Sequence, residues 1–234
     1  MTNGSTLLAF DFDGTLAPIG DDPSTVRMNR GAAELLAQAS QMNGVIVAVV
    51  SGRDAGDLAG RVTTPGAYLV ASHGLEIHAP GGLLVRDAPP MAVHLPDELL
   101  SEMKASGLRL ETKKHAVAIH WRGVPYEAVA PLIDAFRDWA RSRDLDVIEG
   151  RCVVEARCRG GGKEEALRWM ARATGATRVV YAGDDITDFG ALRFAAERGR
   201  ALFVSSSERV PPPGVTVVDS FRELFRLVRE EVMI

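Results

Sequence analysis

A chain of 234 residues, 46% hydrophobic and 25% charged, can bury a full core without disulfides or an obligatory partner. That balance excludes a disordered or fibrous protein and makes a monomer sufficient. A net charge of −4 argues against nucleic acid or an anionic membrane as the main partner, since either favours a basic face. The start MTNGSTLLAFDFDG lacks a basic region followed by a long apolar run, and no apolar run elsewhere reaches the roughly 20 residues of a membrane span. The expected location is cytoplasmic. The two cysteines, Cys152 and Cys158, lack zinc-ligand spacing and read as small buried or half-buried residues.

In chain order, the apolar run Leu7 to Phe10 predicts a strand, followed by a polar loop and a helix over Arg30 to Met42. Val45 to Val50 is apolar throughout, as in a strand covered on both faces. Pro80-Gly81-Gly82 is a turn, Leu83 to Val85 and Ala116 to Trp121 read as strands, and Tyr126 to Arg141 as an amphipathic helix. Helices are then expected over Glu164 to Ala173, Phe189 to Ala196 and Phe221 to Val232, with strands over Arg178 to Ala182, Ala201 to Val204 and Val215 to Val218. Strands alternating with helices at both ends predict an α/β fold with a doubly wound parallel sheet. The change of character between them predicts a smaller α/β insertion over 79–159, with 1–78 and 160–234 forming the core.

Ligands of an open parallel sheet gather at the carboxyl ends of its strands. Three predicted strands end in Asp11-Phe12-Asp13-Gly14-Thr15, in Ser51-Gly52-Arg53 and in Gly183-Asp184-Asp185. If the chain stays extended through Phe12, Asp11 and Asp13 point to one side, where they repel unless a cation intervenes. With Asp184 and Asp185 they make an oxygen-rich site suited to Mg2+. Thr15, Ser51 and the backbone N–H groups around Gly14 and Gly52 can bind a phosphate, and Lys163 can add charge. Each piece has a plain alternative: an Asp-Gly turn, a helix cap at Ser51 or Asp54, and an acidic helix start at Asp184 to Asp188. Their ordered coincidence favours the site.

These residues resemble the haloacid dehalogenase superfamily of phosphotransferases, whose motifs stand in order as DFDGTL, Ser51, Lys163 and GDDITD. The resemblance implies Asp11 as nucleophile and Asp13 as general acid and base. It also implies Ser51 and Lys163 on the phosphoryl oxygens, and Mg2+ held by Asp11, the Asp13 carbonyl and Asp184. Asp185 or Asp188 would support the ion. An α/β insertion between the serine and lysine motifs is the arrangement of its sugar-phosphatase branch. Within that branch, Ser51-Gly52-Arg53, His73-Gly74-Leu75-Glu76, Glu111-x-Lys113, His120-Trp121-Arg122 and Glu155-x-Arg157 are similar to trehalose-6-phosphate phosphatases.

The implied substrate is a small sugar phosphate, contacted by Glu111, Lys113, Arg122, Arg151 and Glu155. His73 and Gly74 are grouped with that set and Arg53 with the supporting residues, although the spacing of His73 and His120 itself points to structural hydrogen bonding. Cys158 and Glu164 stand where the family usually has Pro and Gly. Two other readings stay open: a phosphatase for mannosyl-3-phosphoglycerate, whose extra carboxylate would call on Arg109, Lys114 or Arg151, and a non-catalytic sugar-phosphate sensor or synthase partner.

Overall fold

The structure is a computed structural model that describes residues 4–20, 22, 24–91, 94–150, 152–205 and 209–232. The chain divides into two compact units, Met1–Asp87 with Gly162–Ile234, and Ala88–Gly161. In chain order the first unit contributes β1 (Thr6–Asp11), α1 (Arg30–Ala39), β2 (Val45–Val50), α2 (Ala55–Ala59), β3 (Ala67–Ala71), β4 (Glu76–His78) and β5 (Leu84–Asp87). The second unit follows with α3 (Asp97–Ala105), β6 (Arg109–Thr112), β7 (Ala116–His120), α4 (Tyr126–Ser142), β8 (Asp146–Gly150) and β9 (Val153–Arg157). The first unit then resumes with α5 (Lys163–Thr174), β10 (Arg178–Gly183), α6 (Phe189–Arg198), β11 (Gly199–Val204), β12 (Thr216–Val218) and α7 (Phe221–Val232).

The sheet of the first unit runs β12-β11-β10-β1-β2-β3-β4-β5, parallel from β12 to β3, with β4 and β5 antiparallel. Its central strand explains the unbroken apolar run. Leu8 and Phe10 join the core shared with α1 and α7, whereas Leu7 and Ala9 join the one shared with α5 and α6. A strand with helices over both faces has no solvent side to alternate toward. Residues 79–87 belong with this sheet and not with the insertion, because the Pro80–Gly82 turn leads into β5 and β5 pairs with β4. The helix expected to reach Met42 ends at Ala39, where the Ser40 hydroxyl donates to the Ala37 carbonyl and competes with the helical ladder.

The closing helix is tied to the sheet by charge. Glu231 on α7 accepts from Arg178 on β10 and from Arg200 on β11. Burial pushes its carboxyl up, but the two arginines outweigh that and hold it below the ordinary range. Glu231→Gln is expected to lower stability at pH 7 by about 2 kcal/mol. A depressed carboxyl contributes above its unfolded pKa and loses that contribution as pH falls through its folded value. Denaturant melts of the two proteins should therefore converge in acid, and a constant gap at all pH values would refute the ion-pair account.

The second unit is an antiparallel sheet, β6-β7-β9-β8, packed on α3 and α4. Val117, Ile119, Val154 and Ala156 face the helices, where they meet Val129, Ile133 and Phe136. The two-residue period then sends Glu111, Lys113, His120, Glu155 and Arg157 to the opposite face. No helix among the described residues is long and apolar enough to cross a membrane.

Candidate active site

The parallel register brings the loops after β1, β2 and β10 to one edge of the sheet. Phe10 lies beside Ala182, and Asp11 beside Val50, one residue before Ser51. Asp11, Asp184 and Asp188 are buried, with carboxylate oxygens within 4.8 Å of one another. Lys163, the first residue of α5, donates from Nζ to Asp11 Oδ1 at 2.7 Å and to Asp188 Oδ1 at 2.6 Å. Its ammonium is buried too, yet the two carboxylates outweigh the burial and raise its pKa above the ordinary lysine value.

Asp188 is saturated. Its Oδ1 also accepts from the Tyr181 hydroxyl at 2.5 Å, and its Oδ2 accepts from the Asp184 and Asp185 N–H groups at 3.2 and 3.0 Å. With four donors it orients Lys163 and the turn after β10. Thr15 donates to Asp184 Oδ1 at 3.4 Å. Burial pushes the Asp11 carboxyl well above the ordinary carboxylate range, Lys163 pulls it down, and Asp188 and Asp184 push it up further. Three buried carboxylates against one ammonium leave an excess of negative charge. An all-oxygen donor set with that excess fits a hard divalent ion such as Mg2+.

Asp13 lies just beyond the strand that carries Asp11. Strand β1 ends at Asp11, and the chain turns at Gly14, whose φ is +90° and where any Cβ would strike the Asp184 carboxylate. The Asp13 carboxylate is gripped by Arg53, from Nε at 2.7 Å and Nη2 at 2.6 Å. Neither it nor Asp185, which pairs with Arg209, belongs to the buried acidic cluster.

Ser51 is buried, and its Oγ accepts from the Arg53 N–H at 3.2 Å, so it shapes its own turn and does not cap α2. The turn is stitched to the segment after β3: Ser72 and His73 donate their N–H groups to the carbonyls of Arg53 and Ser51, both at 2.9 Å. The His73 carbonyl in turn accepts from Gly162 N–H at 2.7 Å, beside Lys163. Ser72, His73 and Gly74 all have positive φ, and a Cβ at Gly74 would lie 2.5 Å from that of Ala166. His73 and Gly74 thus join the serine and lysine segments of the site, and the His73 ring lies over Gly52.

On the open face of the second unit, Lys113 Nζ reaches Glu155 Oε2 at 2.6 Å, and His120 Nε2 meets Glu111 Oε2 at 2.8 Å. Burial lowers the His120 pKa, against the pull of Glu111. Ala118 of β7 lies between Glu111 on β6 and Glu155 on β9, so a small side chain separates the two carboxylates. Arg122 is exposed just beyond β7, and Arg151 lies outside the described residues. Sequence reasoning missed Tyr181 and the partnership of His120 with Glu111. The first had a readable signal, because a tyrosine in an otherwise apolar strand needs a partner for its hydroxyl.

Residues 9–208 match the family described as trehalose-phosphatase. A trehalose-phosphate phosphatase of Mycobacterium avium is 35% identical over 214 residues, covering 85% of this chain and 54% of that protein. A Mycobacterium tuberculosis protein described as an uncharacterized glycosyl hydrolase is 37% identical over 215 residues, covering 83% of this chain and 16% of that protein. The chain therefore spans about half the length, or less, of these curated relatives. In fold it is similar to the C-terminal domain of the trehalose-6-phosphate phosphatase of C. albicans, with a TM-score of 0.79 at 18% identity, covering 99% of this chain and 93% of that one. The family match over most of the length, together with the mycobacterial identity, shows that this chain belongs to the trehalose-phosphatase family.

Proposed function

We propose that this chain hydrolyses trehalose 6-phosphate to trehalose and phosphate through an aspartyl-phosphate formed on Asp11. The observation that carries this reading is Lys163 held between Asp11 and Asp188 inside a buried acidic cluster at the strand ends. The ion pair aims one Asp11 oxygen and leaves the other free to attack phosphorus. The sugar oxygen leaves with a proton from Asp13, which Arg53 keeps out of the cluster. The same carboxylate then takes a proton from the water that attacks the acyl phosphate, so phosphate departs and Asp11 is regenerated. Asp11, Asp184 and the Asp13 carbonyl would hold Mg2+, with Asp185 or Asp188 nearby. Bound there, the ion would neutralise charge on the phosphoryl oxygens.

Sugar recognition is assigned to Glu111, Lys113, Arg122 and Glu155. Carboxylates beside cations accept from and donate to the hydroxyls of a disaccharide in a fixed pattern. Arg109 shares the open face with Glu111, which keeps a substrate with an added carboxylate, such as mannosyl-3-phosphoglycerate, as the second reading. A panel of trehalose 6-phosphate, sucrose 6-phosphate and mannosyl-3-phosphoglycerate, with and without Mg2+, decides between them. Binding of trehalose 6-phosphate without phosphate release would make the chain a sensor and end the enzyme reading.

Glu155→Ala is expected to lower kcat/KM on trehalose 6-phosphate by about thirtyfold, the loss of a charged hydrogen bond. On p-nitrophenyl phosphate, which has no sugar to recognise, the change should stay within about twofold. Equal losses on both would remove Glu155 from sugar recognition.

A further inference from the structure

Arg53 grips Asp13, and it is itself gripped. Its Nε and Nη2 serve Asp13, and its Nη1 donates to Asp57 Oδ2 at 2.6 Å. Asp57, in α2, gives its other oxygen to Arg61, which donates from Nε at 3.0 Å and from Nη2 at 2.6 Å. Arg61 closes the series by donating to the Val26 carbonyl and, at 3.3 Å, to that of Ser24. Arg53, Asp57 and Arg61 recur every four residues, so they line one side of α2 and its flanks.

Ion pairs at this spacing on an open helix contribute little. This series differs because its cations are enclosed: the Arg53 and Arg61 side chains are 12% and 8% exposed, against 42% for Asp57 between them. Its far end is also tied to backbone. A guanidinium held on one edge only can still swing about its chain, and Asp13 would swing with it. Gripped on the opposite edge by Asp57 and stacked 5.5 Å from the Phe12 ring centroid, the planar fork of Arg53 has one orientation left.

We propose that Asp57 and Arg61 are positioning residues for Asp13, acting through Arg53 to hold its carboxylate in line for proton transfer. The inference rests on Asp13 being the general acid and base. Proton transfer is sensitive to alignment, and small displacements of a reacting group cost large factors in rate. Losing Asp57 should therefore slow turnover without weakening substrate binding.

The test uses the full chain with saturating Mg2+, at a temperature well below melting. Asp57→Ala is expected to lower kcat on trehalose 6-phosphate about tenfold with KM within about twofold. Asp57→Glu should recover most of the loss. The double variant with Arg53→Ala should be no slower than Arg53→Ala alone, because both changes release the same carboxylate. Should Asp57→Ala fail to fold, Asp57→Asn keeps the shape without the charge and carries the same comparison. Wild-type kcat in the Asp57 variants, or losses that multiply with that of Arg53→Ala, would overturn the inference. A parent protein that releases no phosphate, or an Asp13→Asn variant that keeps full turnover, would overturn the Asp13 assignment along with it. A parent that needs Asp13 and ignores Asp57 would overturn this inference alone.

Discussion

Replacing Asp11 by asparagine is expected to cut phosphate release at least about a thousandfold, the scale on which a covalent nucleophile is missed. The amide still accepts from Lys163, so the change removes a charge and a nucleophile while keeping the hydrogen bond seen at 2.7 Å. Burial, together with Asp188 and Asp184, already strains the Asp11 carboxyl toward its protonated form. Without metal, then, the asparagine variant should melt at the same temperature as the parent or higher. Adding MgCl2 should raise the melting temperature of the parent more than that of the variant, since a ligand stabilises only the state that binds it. Calorimetry with and without Mg2+, beside a phosphate-release assay, checks both halves. Turnover that persists in the variant would end the covalent mechanism.

Lys163→Met should do the opposite to stability while also abolishing activity. Methionine fills the volume of the lysine stem, but it leaves Asp11 and Asp188 facing each other without the ammonium that bonds to both. Removing one partner from a buried ionic cluster costs about 3–5 kcal/mol. In a chain of this size that is a fall of roughly 10 °C in melting temperature. Mg2+ should restore part of the lost stability and none of the activity, because the ion balances charge without aiming the Asp11 oxygen. A metal-free melting temperature equal to that of the parent would mean that Lys163 does not neutralise the cluster. The opposite signs of the two variants separate electrostatic balance from loss of packing, which would lower both.

Strands buried on both faces were the most legible part of the fold. Val45 to Val50 matches β2 residue for residue, and the closing helix Phe221 to Val232 matches α7, since each has one dominant apolar pattern. Elements with shorter or weaker patterns went unread: β3 is a short apolar run, AYLVA, that fits a strand or a buried turn of helix equally, while β4 and α3 are rich in polar residues. The boundary of the insertion was misjudged for a related reason. Leu84–Asp87 is too short and too exposed to reveal that it pairs back to β4.

For the site, the sequence by itself determined that Asp11, Ser51 and Asp184 lie together. Carboxyl ends of adjacent parallel strands share an edge, and each residue directly ends or follows an apolar run. Only the tertiary structure decided how the carboxylates are divided. Asp188 is saturated by Lys163, Tyr181 and two backbone N–H groups, and Asp13 is drawn off by Arg53. The physical reason is that a carboxylate's role depends on which donors reach its oxygens, and the two cations that decide it, Lys163 for Asp188 and Arg53 for Asp13, come from segments far along the chain. Spacing along a strand carries no record of them, so the pairing of Asp13 with Arg53, 40 residues away, emerged only once the chain was folded.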